Sequence, residues 1–121
     1  MSNKIKLNTG KRDDTGKNII VNGEFNPAVV KYMVDIFNRK ITIEKQWTKF
    51  RAGSIGHAIF AAMIKFNKIS VFDISKFYTD IDHGSGNNRN NIMVWGSNAR
   101  TAGIPCISKY GVFTVKPMLK H

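Results

Sequence analysis

Acidic residues are scarce in this chain. Eight Asp and Glu stand against nineteen Lys and Arg in 121 residues, a formal charge of +11. Beyond Asp82 no acidic residue occurs at all, while Arg89, Arg100, Lys109, Lys116 and Lys120 follow. A region of one sign cannot supply an acidic metal cage or a paired-carboxylate active site, and it points to a polyanionic partner. Cysteine is nearly missing too: Cys106 stands alone, so no intramolecular disulfide is possible and nothing calls for an oxidising compartment. No apolar run nears the roughly 20 residues that cross a bilayer as a helix, and MSNKIKLNTGKRDD has no signal-peptide core. The expectation is an intracellular protein with no membrane partner. With three prolines, no interior Pro/Gly/Ser-rich linker and no internal repeat, the chain reads as one domain, and 42% apolar residues suffice for one core.

Catalytic and cofactor patterns are equally sparse. AGSIG at Ala52 to Gly56 approximates a nucleophile elbow, but Ala replaces its first Gly and no strand leads into Ser54, which reads instead as a helix cap. GSGNNR has Arg89 where a phosphate-binding glycine loop needs its last Gly, and no buried strand precedes it. His57, His83 and His121 show no paired metal spacing with each other or with Cys106, and His57 is expected at the surface or boundary of its helix. Asp80, Asp82 and His83 sit at a helix end before a glycine turn, where capping and solvation explain them. No enzyme, cofactor or metal is expected.

What the chain does contain is helical periodicity framed by short polar segments. Residues 1–24 read as a flexible basic arm, with β-prone Ile5 to Leu7 and Ile19 to Val21 around TGKRDDTGKN making at most a weak hairpin. Asn26 and Pro27 open a first helix with Val29, Val30, Met33, Val34 and Phe37 on its apolar side, ending at Asn38. This helix either packs into the core or offers a face for a homodimer. Thr42 is placed to cap a second, short helix with Ile43, Trp47 and Phe50 at i, i+4 and i+7, and with Lys45 and Lys49 on another face as candidate phosphate contacts. Ser54 caps a third, whose wide stripe from Ile55 to Phe66 marks it as central.

From Ile55 to Pro117 the order of parts resembles the winged helix-turn-helix family. A long apolar helix ends at Lys68, and a short extended Ile69-Ser70-Val71-Phe72 follows. A helix of about eight to ten residues then carries Phe72, Ile74, Phe77, Tyr78 and Ile81 before the turn DHGSGNN, with Gly84 and Gly86. Asn87 to Ala102 looks like a recognition helix closing on Ala102-Gly103-Ile104. Strands near Ile104 to Ser108 and Val112 to Lys116 look like a wing around Lys109-Tyr110-Gly111. The resemblance implies a mostly α fold with a small antiparallel β wing, an α+β winged helix-turn-helix with extra N-terminal helices, spanning 25–121 with its core motif at about 55–117.

Projected at 100° per residue, Ile92, Trp95, Gly96, Ala99 and Gly103 gather on one side of the recognition helix, and Asn87, Asn90, Val94, Ser97 and Thr101 on the other. Arg89 and Arg100 edge the polar face on one flank, Asn91 and Asn98 on the other, and Asn88 belongs to the same polar run. Asn pairs bidentately with adenine, a Val methyl meets the thymine methyl, and Arg reaches guanine or phosphate, so A·T-containing sites are expected. Lys109, Tyr110 and Lys116 are the wing's candidates for the backbone or minor groove. The function this implies is sequence-preferring binding of double-stranded DNA, as a regulator of transcription or replication. Two other classes stay open: an RNA-binding or ribonucleoprotein component, and a phage or viral protein that uses the same fold to engage a host protein. The abundance of Asn, Lys and Ile suits an AT-rich genome of that kind.

Overall fold

The computed structural model describes residues 3–84 and 88–117. Four short polar side chains set where its helices begin, each accepting a hydrogen bond from a backbone N–H that the first turn leaves unpaired. Asn26 accepts from Ala28 ahead of α1 (Pro27–Phe37), and Ser54 from His57 ahead of α2 (Ile55–Phe66). Ser70 accepts from Asp73 ahead of α3 (Val71–Asp80), and Asn88 from Asn90 ahead of α4 (Arg89–Thr101). The strands are β1 (Lys4–Arg12), β2 (Asn18–Glu24), β3 (Lys68–Ser70), β4 (Cys106–Lys109) and β5 (Val112–Val115). They form two antiparallel sheets, β1-β2 and β3-β5-β4, and with four helices the described residues make an α+β fold.

The core is built on α2. Every residue from Gly56 to Met63 is buried, as expected of a helix apolar on nearly all sides. Asn67, in the left-handed conformation at φ 60°, ends it and turns the chain into β3. The face Val29, Val30, Met33 and Ile36 packs α1 against α2 and α3 within the chain, so these residues belong to the core.

Asp73 ties the start of α3 to the start of α1. Its carboxylate accepts from Asn26 N at 2.7 Å and Ser70 N at 2.8 Å, while Ser70 Oγ accepts from Asp73 N at 3.2 Å. Burial pushes its pKa above the usual carboxylate value, and these bonds pull the other way.

Three expectations need correction. Residues 4–24 form a hairpin, its register shifted between Asn8 and Arg12, where a flexible arm was expected: β1 lies against α3 and α4, Leu7 is fully buried, and Val21 packs against the core. The Asp13 carboxylate closes its turn by accepting from Thr15 N, Thr15 Oγ1 and Lys17 N, with Gly16 at φ 82°. The extra N-terminal helices are not found, for α1 alone precedes α2 and residues 38–54 are irregular. The helix expected from Thr42 loses to tertiary packing. Positive φ at Arg39 and Phe50 brackets the segment, and Trp47 and Phe50 each turn onto Phe60 with ring centroids 5.8 and 5.5 Å away. His57 is buried, 4% exposed, with its ring 5.1 Å from that of Trp47 and its Nδ1 without a partner among the described residues.

Asp73→Ala leaves two backbone N–H groups without their acceptor, so denaturant unfolding is expected to show a loss of about 1–3 kcal/mol. Burial, with the Lys45 ammonium nearby, lowers the His57 pKa below its ordinary 6.5. The unfolded chain therefore binds this proton more readily: the contribution of neutral His57 is full above pH 6.5 and is lost as pH falls towards the folded-state pKa. Unfolding free energies measured from pH 7 downwards are expected to fall less steeply in His57→Phe.

Candidate nucleic-acid interface

Buried aromatic rings set the position of α4. Trp95 Nε1–H donates to the Tyr78 hydroxyl at 2.6 Å, joining α4 to α3. The Trp95 ring stands edge-on to Phe60 of α2 at 5.9 Å and to Phe50 at 5.5 Å. Burial raises the Tyr78 pKa, so this hydroxyl stays protonated at neutral pH. Ile92, Trp95, Gly96 and Ala99 form the buried side, four of the five residues expected there. Gly103 lies beyond the helix and is exposed; at φ 91° it ends α4 while Ile104 N donates back to Ala99 O.

The opposite side is open. Asn90, Asn91, Ser97, Arg100 and Thr101 are exposed, Val94 is 50% exposed, and Asn88, Arg89 and Asn98 are half-buried. Asn87 lies outside the described residues. Not all of these side chains are equally available. Asn88 spends its carbonyl on the cap, and the Asn90 amide lies against Gly10 of β1, where a Cβ would stand 2.1 Å from Asn90 Nδ2. Asn8 and Asn88 form a bridge beside it, so the hairpin flanks the first turn of α4. Thr101 Oγ1 donates to Ser97 O, and Arg100 donates to Cys106 O at 3.2 Å, anchoring part of its guanidinium to β4. The unobstructed stretch therefore runs through Asn91, Val94 and Ser97, with half-buried Asn98 at its edge.

The strands β4 and β5 meet at Tyr110 and Gly111, with φ of 53° and 74°, the paired left-handed conformation of a tight two-residue hairpin. Tyr110 is 89% exposed, with Lys109 Nζ 5.4 Å over its ring, and Lys116 is exposed just past β5. Gly96 is what lets α4 approach this hairpin: a Cβ there would lie 1.9 Å from Ser108 Oγ and 3.2 Å from both Ser108 Cβ and the Phe113 ring.

Lys45 and Lys49 are exposed but on an irregular segment, and they part company. Thr48 donates through N and Oγ1 to Ala102 O, so Lys49 adjoins the C-terminal end of α4, whereas Lys45 acts on His57 of α2. Thr9 and Lys11, brought beside Arg89 and Tyr110, were not singled out from sequence, because only the docking of β1 puts them there. Among the described residues no cluster of His, Cys, Asp or Glu could hold a metal ion, and no helix is long and apolar enough to cross a membrane. Asp80 pairs with Lys76 at 2.9 Å, and the His83 ring lies 4.6 Å from that of Tyr78. No protein family, curated protein or solved structure matches the chain.

If Gly96 is required by close approach, larger residues there will prise β4 from α4. Gly96→Val, whose branches meet Phe113 and Ser108 Cβ, is expected to lose about 1–3 kcal/mol of unfolding free energy. Gly96→Ala costs less, since the Ser108 hydroxyl can rotate aside and a helix gains about 0.5–1 kcal/mol from the exchange. Urea titration of both variants checks the order.

Proposed function

We propose that this protein binds double-stranded DNA with sequence preference, as a regulator of transcription or replication, and that it does so as a winged helix-turn-helix. The fold reading is supported by the order α2, β3, α3, α4, β4, β5, with a helix, turn and helix followed by a tight hairpin. The functional reading is carried by one observation: the open face of α4 presents short hydrogen-bonding side chains around an exposed Val94, in a part of the chain without acidic residues.

That face suits a major groove. Asn91 and Asn98 offer amides for the paired acceptor and donor of adenine, Ser97 bonds to either base type, and the Val94 methyls suit thymine. Cations are available around it: Arg89 in the first turn of α4 with Lys11 of the hairpin beside it, Arg100 in the last turn, Lys49 next to the Thr48 bonded to Ala102, and Lys109 and Lys116 on the wing. These neutralise phosphates, which orients the duplex and makes affinity fall steeply with salt. With Asn90 flanked by the hairpin, base reading rests mainly on Asn91 and Val94.

Selection of bound duplexes from a random pool is expected to enrich an A·T-containing site. Asn91→Ala should then weaken binding to the selected site by about 5- to 100-fold and relax preference at one position. Lys49→Ala should weaken all duplexes alike and flatten the salt dependence by about one phosphate. An unenriched pool, with binding that disappears at moderate salt whatever the sequence, would sink the proposal.

A further inference from the structure

Between the hairpin and the wing runs a cleft of about 420 Å³, within the range of small-ligand sites. Lys11 and Ile19 line it from the hairpin, Phe72 from the first turn of α3, Arg89 from the start of α4, and Tyr110 from the wing tip. Two features set it apart from an ordinary surface furrow. It combines an almost fully exposed aromatic ring with aliphatic and aromatic neighbours, and its lining includes two cations and no acid. Arg89 reaches to the wing turn, with a terminal nitrogen 4.0 Å from where a Cβ on Gly111 would stand.

A flat apolar surface beside two cations matches one chemical group in particular: a nucleobase joined to its phosphate. Bases within a duplex are stacked and paired, so only an unpaired one can put its face against Tyr110. Lys109 lies over that ring, which leaves its other face for stacking. The cleft lies at the first turn of α4, on the Arg89 flank of its polar face and across that face from Asn91. A strand leaving a duplex held on α4 has this cleft next to it.

We infer that the cleft receives an unpaired nucleotide at a junction between duplex and single-stranded DNA, with its base on Tyr110 and its phosphate on Arg89 and Lys11. The inference rests on the duplex-binding reading and adds a preference within it. A protein that favours such junctions acts where duplex is opened or ends, as at a replication start or a processed end.

The test uses the full chain and three DNA ligands: a blunt duplex, the same duplex with a short single-stranded extension of either polarity, and the isolated strand. 2-Aminopurine replaces the first unpaired base. One extension is expected to tighten binding by about tenfold over the blunt duplex and to quench the 2-aminopurine emission on binding. Tyr110→Ala should bring the ratio of tailed to blunt affinity close to one and abolish the quenching, while Tyr110→Phe keeps both. Equal affinity for blunt and tailed duplexes, with unaltered emission, overturns the inference and leaves duplex binding standing. Binding of the isolated strand without binding of any duplex overturns both the junction and the duplex reading, and so does failure of all three ligands.

Discussion

The hydrogen bond from Trp95 to Tyr78, held in a layer of rings around Phe60, determines how α3 and α4 cross, and with it which way the polar face of α4 points. Phe60 is fully buried and touches Trp47, Phe50 and Trp95 edge-on, so one side chain of α2 registers both the irregular 38–54 segment and α4. Edge-to-face rings tolerate little rotation, and a buried indole N–H without an acceptor is costly. The layer therefore acts as a hinge pin: the β4-β5 hairpin, carried on α4 through the close contact at Gly96, inherits its position from the same rings.

How much of this was legible from residues alone depended on whether the determining contact was local. Helix starts at Asn26 and Ser54 were readable because a cap acts within two or three residues of itself, whereas Ser70, expected in an extended segment running to Phe72, caps a helix that already begins at Val71. The split of α4 into Ile92, Trp95 and Ala99 on one side and Val94, Ser97 and Thr101 on the other, with Asn91 on the flank, follows from a 100° turn and needs no partner. The tight turn at Tyr110-Gly111 was marked by glycine between β-prone runs. What failed was what distant packing decides. Ile43, Trp47 and Phe50 have helical spacing, yet each ring finds a better place on α2 than on a shared stripe. Leu7, in a polar stretch, gives no sign that it will be buried by α3 and α4. His57 looked polar in a helix that is buried on every side.

The same distinction governs the candidate interface. The sequence allowed a polar, cation-edged face to be drawn on α4, with Asn87 to Asn91 treated as one group. In three dimensions that group divides: Asn88 is a cap, Asn90 lies along the hairpin, and Asn91 stays open. Lys45 and Lys49, four residues apart and equivalent on a helix, end up serving different neighbours because the segment between them is not helical. Charge, by contrast, needed no geometry, since the absence of acid after Asp82 is a property of the chain wherever it folds.

The bridge between Asn8 and Asn88 joins segments far apart along the chain, and this has a bearing on how the molecule is made. Long-range pairings are the slow ones, because the intervening chain must be ordered before they are rewarded. During synthesis β1 emerges first, but the surface that buries Leu7 is not complete until α4 has followed. The hairpin can form early from its own turn, yet it must wait, undocked and with Leu7 uncovered, for most of the protein to be translated. Its closure onto α4 then covers Leu7 and brings Lys11 beside Arg89.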